Sequence, residues 1–250
     1  MNILQGTQLG DVDFLNITEL LKNMTTMEFG KTIRLRINDQ TTSNRSQDYG
    51  AETYNKADGG TAHISIIAPN GDAVSVTSSI NYYYGAGFTT YNTGIIMNNV
   101  MDDFSSPGII NYFGVQPSRA NYIEPNKRPL SSMSPSIIVD KSGNAKVVIG
   151  ASGGTKIPTA TALVLIRKLW FNQTIKEAVD AARVHHQLFP MVIRYEYGVL
   201  KHVVQGLRAR GHGILRYTDR GSIVCALFRN STGIYANADF RKGGDVAGID

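Results

Sequence analysis

Two hairpin signals constrain this chain more than any other feature. Residues 62–68, AHISIIA, run into the turn Pro69-Asn70-Gly71-Asp72 and continue as AVSVTSS at 73–79. β-Branched residues on both sides of an Asn-Gly tip are the strongest short-range mark of a β-hairpin. The pattern returns as SIIVD at 136–140, KSGN at 141–144 and AKVVIG at 145–150. A lone hairpin is marginal in water, so each needs an apolar partner layer. The following stretch supplies it. PTATALVLIRKLWF (158–171) begins with Pro158 in the first turn of a helix, where a missing N–H costs little. Thr174 with Glu177 forms a capping box ahead of a second helix over 175–189, IKEAVDAARVHHQLF. A third helix is expected around 198–210, ending at Gly211, then strands near 222–229 and 233–239. Near the start, 16–29 reads as one helix capped by Asn16, with Glu19 as its capping-box partner. Antiparallel hairpins covered by helices make an α+β layered domain.

Composition supports a packed domain. Of 250 residues, 42% are hydrophobic and 18% charged, which excludes wholesale disorder. The net charge is +5, but Lys and Arg are scattered without a run of five, so no dedicated nucleic-acid surface is expected. No segment approaches the roughly 18 uninterrupted apolar residues that a membrane span needs, and no signal peptide opens the chain. The single cysteine, Cys225, lies in the apolar run SIVCALF and reads as a structural thiol. Five Asn-X-Ser/Thr sites, at Asn16, Asn23, Asn44, Asn172 and Asn230, favour a secretory history.

One boundary stands out. Residues 38–60 are polar and turn-rich, and they end at Gly59-Gly60 directly before Thr61 and the first strand. The ordinary reading is a loop-to-strand junction. The sharper one is that the Gly60–Thr61 bond is made to break, which divides the chain into 1–60 and 61–250. Glycine gives the freedom that attack of the Thr61 hydroxyl on the Gly60 carbonyl requires.

The remaining chemistry favours the second reading. His185 and His186, placed in a helix, point about 100° apart and share no metal. The other histidines have no partner at a recognisable spacing, so no histidine base and no metal or cofactor site is expected. A hydroxyl nucleophile then needs another base. An N-terminal threonine carries one in its own α-amine, whose pKa is near neutrality. Three later stretches suit a polar pocket. In NNVMDDFSSPG (98–108), Asp102 and Asp103 can hold an ammonium group. In RPLSSMSPS (128–136), Ser131 and Ser132 can hold a carboxylate. GASGGTKIPTATA (150–162) is a glycine-rich turn whose N–H groups can receive an oxyanion. Singly these are equally a solvated turn, a loop cap and a helix N-terminus; together they describe a pocket for an amino acid.

DGGTAHISIIAPNGDAVSVTSSIN, NNVMDDFSSPG, PLSSMSP, GASGGTKI and DFRKGGDVAG, in this order, resemble the small subunit of gamma-glutamyltransferases, also called glutathione hydrolases. LGDVDFLNITELLKNMT and YNKADGG resemble the tail of that family's large subunit. The resemblance implies the four-layer αββα sandwich of N-terminal-nucleophile hydrolases. It implies self-cleavage before Thr61, which then takes the gamma-glutamyl group of glutathione and its conjugates and passes it to water, an amino acid or a dipeptide. It implies Ser79 as the hydroxyl supporting the nucleophile and Gly153 and Gly154 as oxyanion donors. Asn81 and Asp103 would hold the glutamyl α-groups, and Ser131 and Ser132 its carboxylate. The partner implied is the large-subunit part of the same precursor, which carries the membrane anchor and a carboxylate-binding arginine, and the location is the extracellular face of the plasma membrane. One motif departs: the family's acidic residue in NNEMDD is Val100 here. That departure, with most of the large subunit outside this sequence, supports an alternative: a fragment or divergent paralogue that keeps the fold without turnover.

Overall fold

The computed structural model describes residues 8–49, 60–109, 117–188, 190–218 and 221–249. Gly59 and most of the YNKADGG stretch therefore lie outside the described residues.

The single helix expected over 16–29 is two helices, α1 (Thr18–Met24) and α2 (Met27–Arg36). The Thr25 and Thr26 hydroxyls bond back to the carbonyls of Lys22 and Asn23, and Thr26 then caps α2 by accepting from Phe29 N. Threonine offers the backbone an alternative to the helical ladder, and two in a row end it. Asn16 caps nothing, since Ile17 occupies the N-cap position without a side-chain bond.

Both hairpins form. Strand β1 (Thr61–Ile67) pairs antiparallel with β2 (Ala73–Ser79), placing Thr61 opposite Ser79, and Gly71 takes φ +94° at the tip. Strand β3 (Ser136–Val139) pairs with β4 (Ala145–Ser152). The chain then makes helix α3 (Ile157–Leu169), with Pro158 in its first turn, and helix α4 (Ile175–Asp180), with the Thr174–Glu177 capping box complete. Helix α4 is six residues long, not the fifteen expected, and 184–185 form strand β5 (Val184–His185). Tertiary demand ends the helix. Ala181 turns to ψ 141°, and the buried Arg183 guanidinium bonds to Val179 O, Ser222 O and Asp239. Strand β6 (Val192–Tyr195) pairs with β5 and, in parallel, with β7 (Gly213–Arg216), across helix α5 (Lys201–Ala209). Strands β8 (Ile223–Asn230) and β9 (Gly233–Ala238) complete a four-stranded sheet in the order β3-β4-β8-β9.

The layers stack on β4 and β8. On one face Val147, Ile149, Ala151, Val224 and Ala226 meet Ile157, Ala160, Val164, Ile175, Ala178 and Val179 of the helices. Burying each Val or Ile there stabilises by about 1.5–3 kcal/mol. The β1–β2 hairpin lies on the other face through polar contacts: Ser75 Oγ donates to Ile149 O at 3.0 Å, and the His63 ring rests against Gly150, where any Cβ would collide with it. The outward side of the hairpin, Ile64, Ile66, Val74 and Val76, stays exposed among the described residues. No helix there is long and apolar enough to cross a membrane.

Candidate active site

Thr61 opens β1 and is buried, with its hydroxyl 3.0 Å from Ser79 Oγ across the ladder. Register sets this contact: the directly paired residues of an antiparallel ladder point to the same face. Ser79 Oγ is a hub. It also accepts from Asn81 N at 3.0 Å and donates to the Gly60 carbonyl at 3.4 Å. That carbonyl accepts a second bond, from Ile80 N at 3.0 Å. A Cβ on Gly60 would overlap the Tyr82 carbonyl, so only glycine fits before Thr61. Lys242, from the C-terminal DFRKGG run, donates to the Thr61 carbonyl at 2.9 Å.

Asn81 is buried and takes φ +70°, a conformation asparagine tolerates better than most residues. Its amide donates to Asn99 O at 3.1 Å, and Asn99 Oδ1 accepts from Tyr82 N at 3.0 Å. These bonds seat the 3-10 turn Val100–Asp103 beside the end of β2. The two aspartates do not act as a pair. Asp102 is exposed and accepts from the Tyr82 hydroxyl. Asp103 is partly buried, and desolvation, then the Asp102 charge, raises its pKa to about 7. An incoming ammonium would reverse that penalty.

Ser131 Oγ accepts from Met133 N at 3.2 Å, which leaves its proton to donate outward. Ser132 lies next to it, partly buried. Gly153 and Gly154 turn the chain from β4 into α3 with φ +125° and +55°. A Cβ on Gly153 would stand 2.8 Å from Ser222 Cα. The hydrogen bonds therefore join Thr61, Ser79 and Asn81 in one cluster with the Asp103 turn attached through Asn99. No hydrogen bond among the described residues links Gly153 or Gly154 to that cluster.

Four of the histidines are held in structural contacts, by a route the sequence did not indicate, while His202 is exposed. His185 lies on a strand rather than a helix, buried, bonded to Thr159 and Gln187, and desolvation depresses its pKa to about 4. His186 packs edge-on against His212 at 5.9 Å. His63 bonds to Thr77 and Ser65. Lys242 went unassigned although its motif was visible. Asn99 also lay inside a visible motif, NNVMDDFSSPG, without being singled out, whereas Asn121 carried no spacing signal.

The family model for gamma-glutamyltranspeptidase matches residues 2–249. The chain belongs to this family. Scoloptoxin SSD14 of Scolopendra dehaani is 43% identical over 243 residues, covering 97% of this chain and 42% of the relative. Glutathione hydrolase proenzyme 1 of Schizosaccharomyces pombe is 37% identical over 238 residues, covering 94% and 38%. The gamma-glutamyltranspeptidase of Pseudomonas nitroreducens, solved with L-DON, superposes with a TM-score of 0.70 at 38% identity, over 75% of this chain and 99% of that one. The α+β, N-terminal-nucleophile hydrolase fold expected from the motifs is the fold of such structures. The chain spans about two fifths of the length of the two curated relatives above.

Proposed function

We propose that this chain is the C-terminal portion of a gamma-glutamyltransferase and glutathione hydrolase precursor, with residues 1–60 the tail of the large-subunit region and 61–250 the catalytic region. The observation that carries the reading is the Thr61 hydroxyl, buried at a strand start and bonded to Ser79, directly after a carbonyl that holds two hydrogen bonds. In the first step Thr61 Oγ1 attacks the Gly60 carbonyl carbon. Negative charge gathers on the Gly60 oxygen, where Ile80 N–H and the Ser79 hydroxyl are already placed. The hydroxyl proton passes to the Thr61 nitrogen as the C–N bond breaks, which frees the amine and leaves the acyl group as an ester on Thr61 Oγ1. Water then hydrolyses that ester, giving the Gly60 carboxylate and restoring the Thr61 hydroxyl. That amine is then the base for a second use of the same hydroxyl: attack on the gamma-glutamyl carbonyl of glutathione or a conjugate, with Gly153 and Gly154 receiving the oxyanion. The gamma-amide C–N bond then breaks, and the proton held by the Thr61 amine passes to the departing cysteinylglycine nitrogen. Water, an amino acid or a dipeptide takes the glutamyl group from the ester.

Asn81 and Asp103 hold the glutamyl α-groups in this reading, with Asp103 on the ammonium, and Ser131 and Ser132 hold the carboxylate. The large-subunit region covers the bare side of the β1–β2 hairpin, and the site works on the extracellular face of the plasma membrane, in keeping with the five glycosylation patterns. The two halves stay together after cleavage. Arg128 grips buried Asp11 through its backbone N–H, Nε and one terminal nitrogen, at 2.8, 3.0 and 2.5 Å.

The test is N-terminal sequencing of the complete precursor after folding: a new terminus at Thr61 is expected, and Thr61→Ala must abolish both cleavage and hydrolysis. Persistent intact precursor refutes the reading. The second reading, a fold kept without turnover, is favoured by Val100 alone. Processing without release of product from a gamma-glutamyl anilide would establish it.

A further inference from the structure

Two distant elements of the candidate site meet on one side chain. Asn121 lies in the short 3-10 turn Arg119–Asn121 and is 6% exposed. Its Nδ2 donates to the Asp103 carbonyl at 2.7 Å, and its Oδ1 accepts from Leu130 N at 2.9 Å. Its own carbonyl accepts from Ser105 N at 2.9 Å. One planar amide thus holds the peptide of Asp103 and the residue immediately before Ser131. The neighbouring packing fixes this amide in turn: Phe104 and Ser105 are buried beside it, and the segment 127–130 is pinned from its far side by Asp11.

We propose that Asn121 is the positioning residue that sets Asp103 and the Ser131–Ser132 pair in register, so that the site takes an α-amino acid head as one unit. The inference rests on the gamma-glutamyl reading above. Its physical content is separate from that reading. An α-amino acid carries its ammonium and carboxylate on one carbon, so their partners must be placed relative to each other within about 0.5 Å. Asp103 and Ser131 belong to segments far apart in sequence, and an amide that donates to one and accepts from the other has no freedom to let them drift. Asparagine suits the task because it offers a donor and an acceptor at a fixed separation. An alanine loses both bonds and leaves a part-buried carbonyl and a part-buried N–H without these partners. An aspartate keeps the acceptor for Leu130 and turns an oxygen toward the Asp103 carbonyl.

The experiment pairs hydrogen exchange with kinetics on the complete precursor bearing Asn121→Ala or Asn121→Asp. In the wild type the Leu130 amide, bonded to Asn121 Oδ1, should be protected. In Asn121→Ala it should exchange on the order of tenfold faster or more, while amides of β4 and β8 are unchanged. In Asn121→Asp its protection should persist. On a gamma-glutamyl anilide, Asn121→Ala should raise KM about tenfold to hundredfold with little change in kcat. It should also narrow the preference for the glutamyl anilide over its des-amino, glutaryl counterpart, which general loosening would not do. Asn121→Asp should narrow the same preference and bring L-glutamate and its des-amino counterpart, glutarate, closer in inhibition. Unchanged Leu130 exchange in the alanine variant overturns the proposal. So does unchanged KM in both variants. A wild type that processes nothing and turns over nothing refutes the activity instead, and the exchange result alone then decides the role of Asn121.

Discussion

Val100→Glu tests whether the turn Val100–Asp103 holds the glutamyl ammonium, as proposed. Val100 and Asp103 are the first and last residues of one 3-10 turn, and residues three apart in such a helix eclipse each other. A carboxylate at 100 would therefore stand over Asp103, on the side where the glutamyl ammonium is proposed to sit. A hydrogen bond to a charged group contributes about 1.5–3 kcal/mol, so KM for a gamma-glutamyl anilide should fall about tenfold to hundredfold. The interaction is the same in ground and transition states, so kcat should stay within about threefold. The pH dependence adds a second readout. Asp103 holds its proton up to about pH 7 because it is desolvated and faces Asp102. Below that pH the wild-type site loses its negative charge, and kcat/KM should drop toward acid. A Glu at 100 adds a like charge beside Asp103, which pushes its proton affinity higher still. The Asp103 contribution to the acid limb of kcat/KM should move to higher pH in Val100→Glu, stay in place in Val100→Gln, and be absent in Asp103→Asn. Any residual acid limb then belongs to the Thr61 amine. Steady-state kinetics across pH 5–9, a window of roughly two units either side of neutrality, makes the comparison. Equal KM for wild type and Val100→Glu, with an unmoved limb, would refute the placement of the ammonium over this turn.

Ser79→Ala removes one donor from the Gly60 carbonyl and the partner of the Thr61 hydroxyl, so self-cleavage should slow by on the order of 10²-fold, read as the half-time of precursor loss on a denaturing gel. Gly153→Ala should cut kcat by a similar factor with a smaller change in KM, because its Cβ meets Ser222 backbone and the loop must shift; a pure KM effect would make the loop a ground-state binder. Arg128→Ala leaves Asp11 buried without its cation, so after cleavage of the complete precursor the large-subunit piece ending at Gly60 should separate from 61–250 more readily on gel filtration, where the wild type should elute as one species. For acid stability, His185 has a folded pKa near 4 against about 6.5 unfolded. Its contribution is complete above pH 6.5 and is lost as pH falls toward 4, by up to about 3 kcal/mol. Chemical denaturation at pH 7 and pH 4.5 should show a smaller drop for His185→Gln.

The features written locally in the sequence are the ones it determined. Asn70-Gly71 fixed a hairpin and its register, which alone puts Thr61 opposite Ser79. Pro158 and the Thr174–Glu177 box marked two helix starts correctly because each is decided within one turn of chain. The ordered motifs carried the family. What the sequence misplaced depends on partners far along the chain. Residues 181–189 have a helical pattern, yet Arg183 is drawn inward by Asp239 and Ser222, and pairing with β6 makes 184–185 a strand. Asp102 and Asp103 are adjacent and look equivalent, but Tyr82 engages one and burial raises the proton affinity of the other. Asn121 and Lys242 meet Asp103, Leu130 and Thr61 only when the chain has folded. Propensity and periodicity report a residue's immediate neighbours, whereas hydrogen bonds across such separations exist only once the layers have packed, and in this protein those bonds decide the geometry of the site.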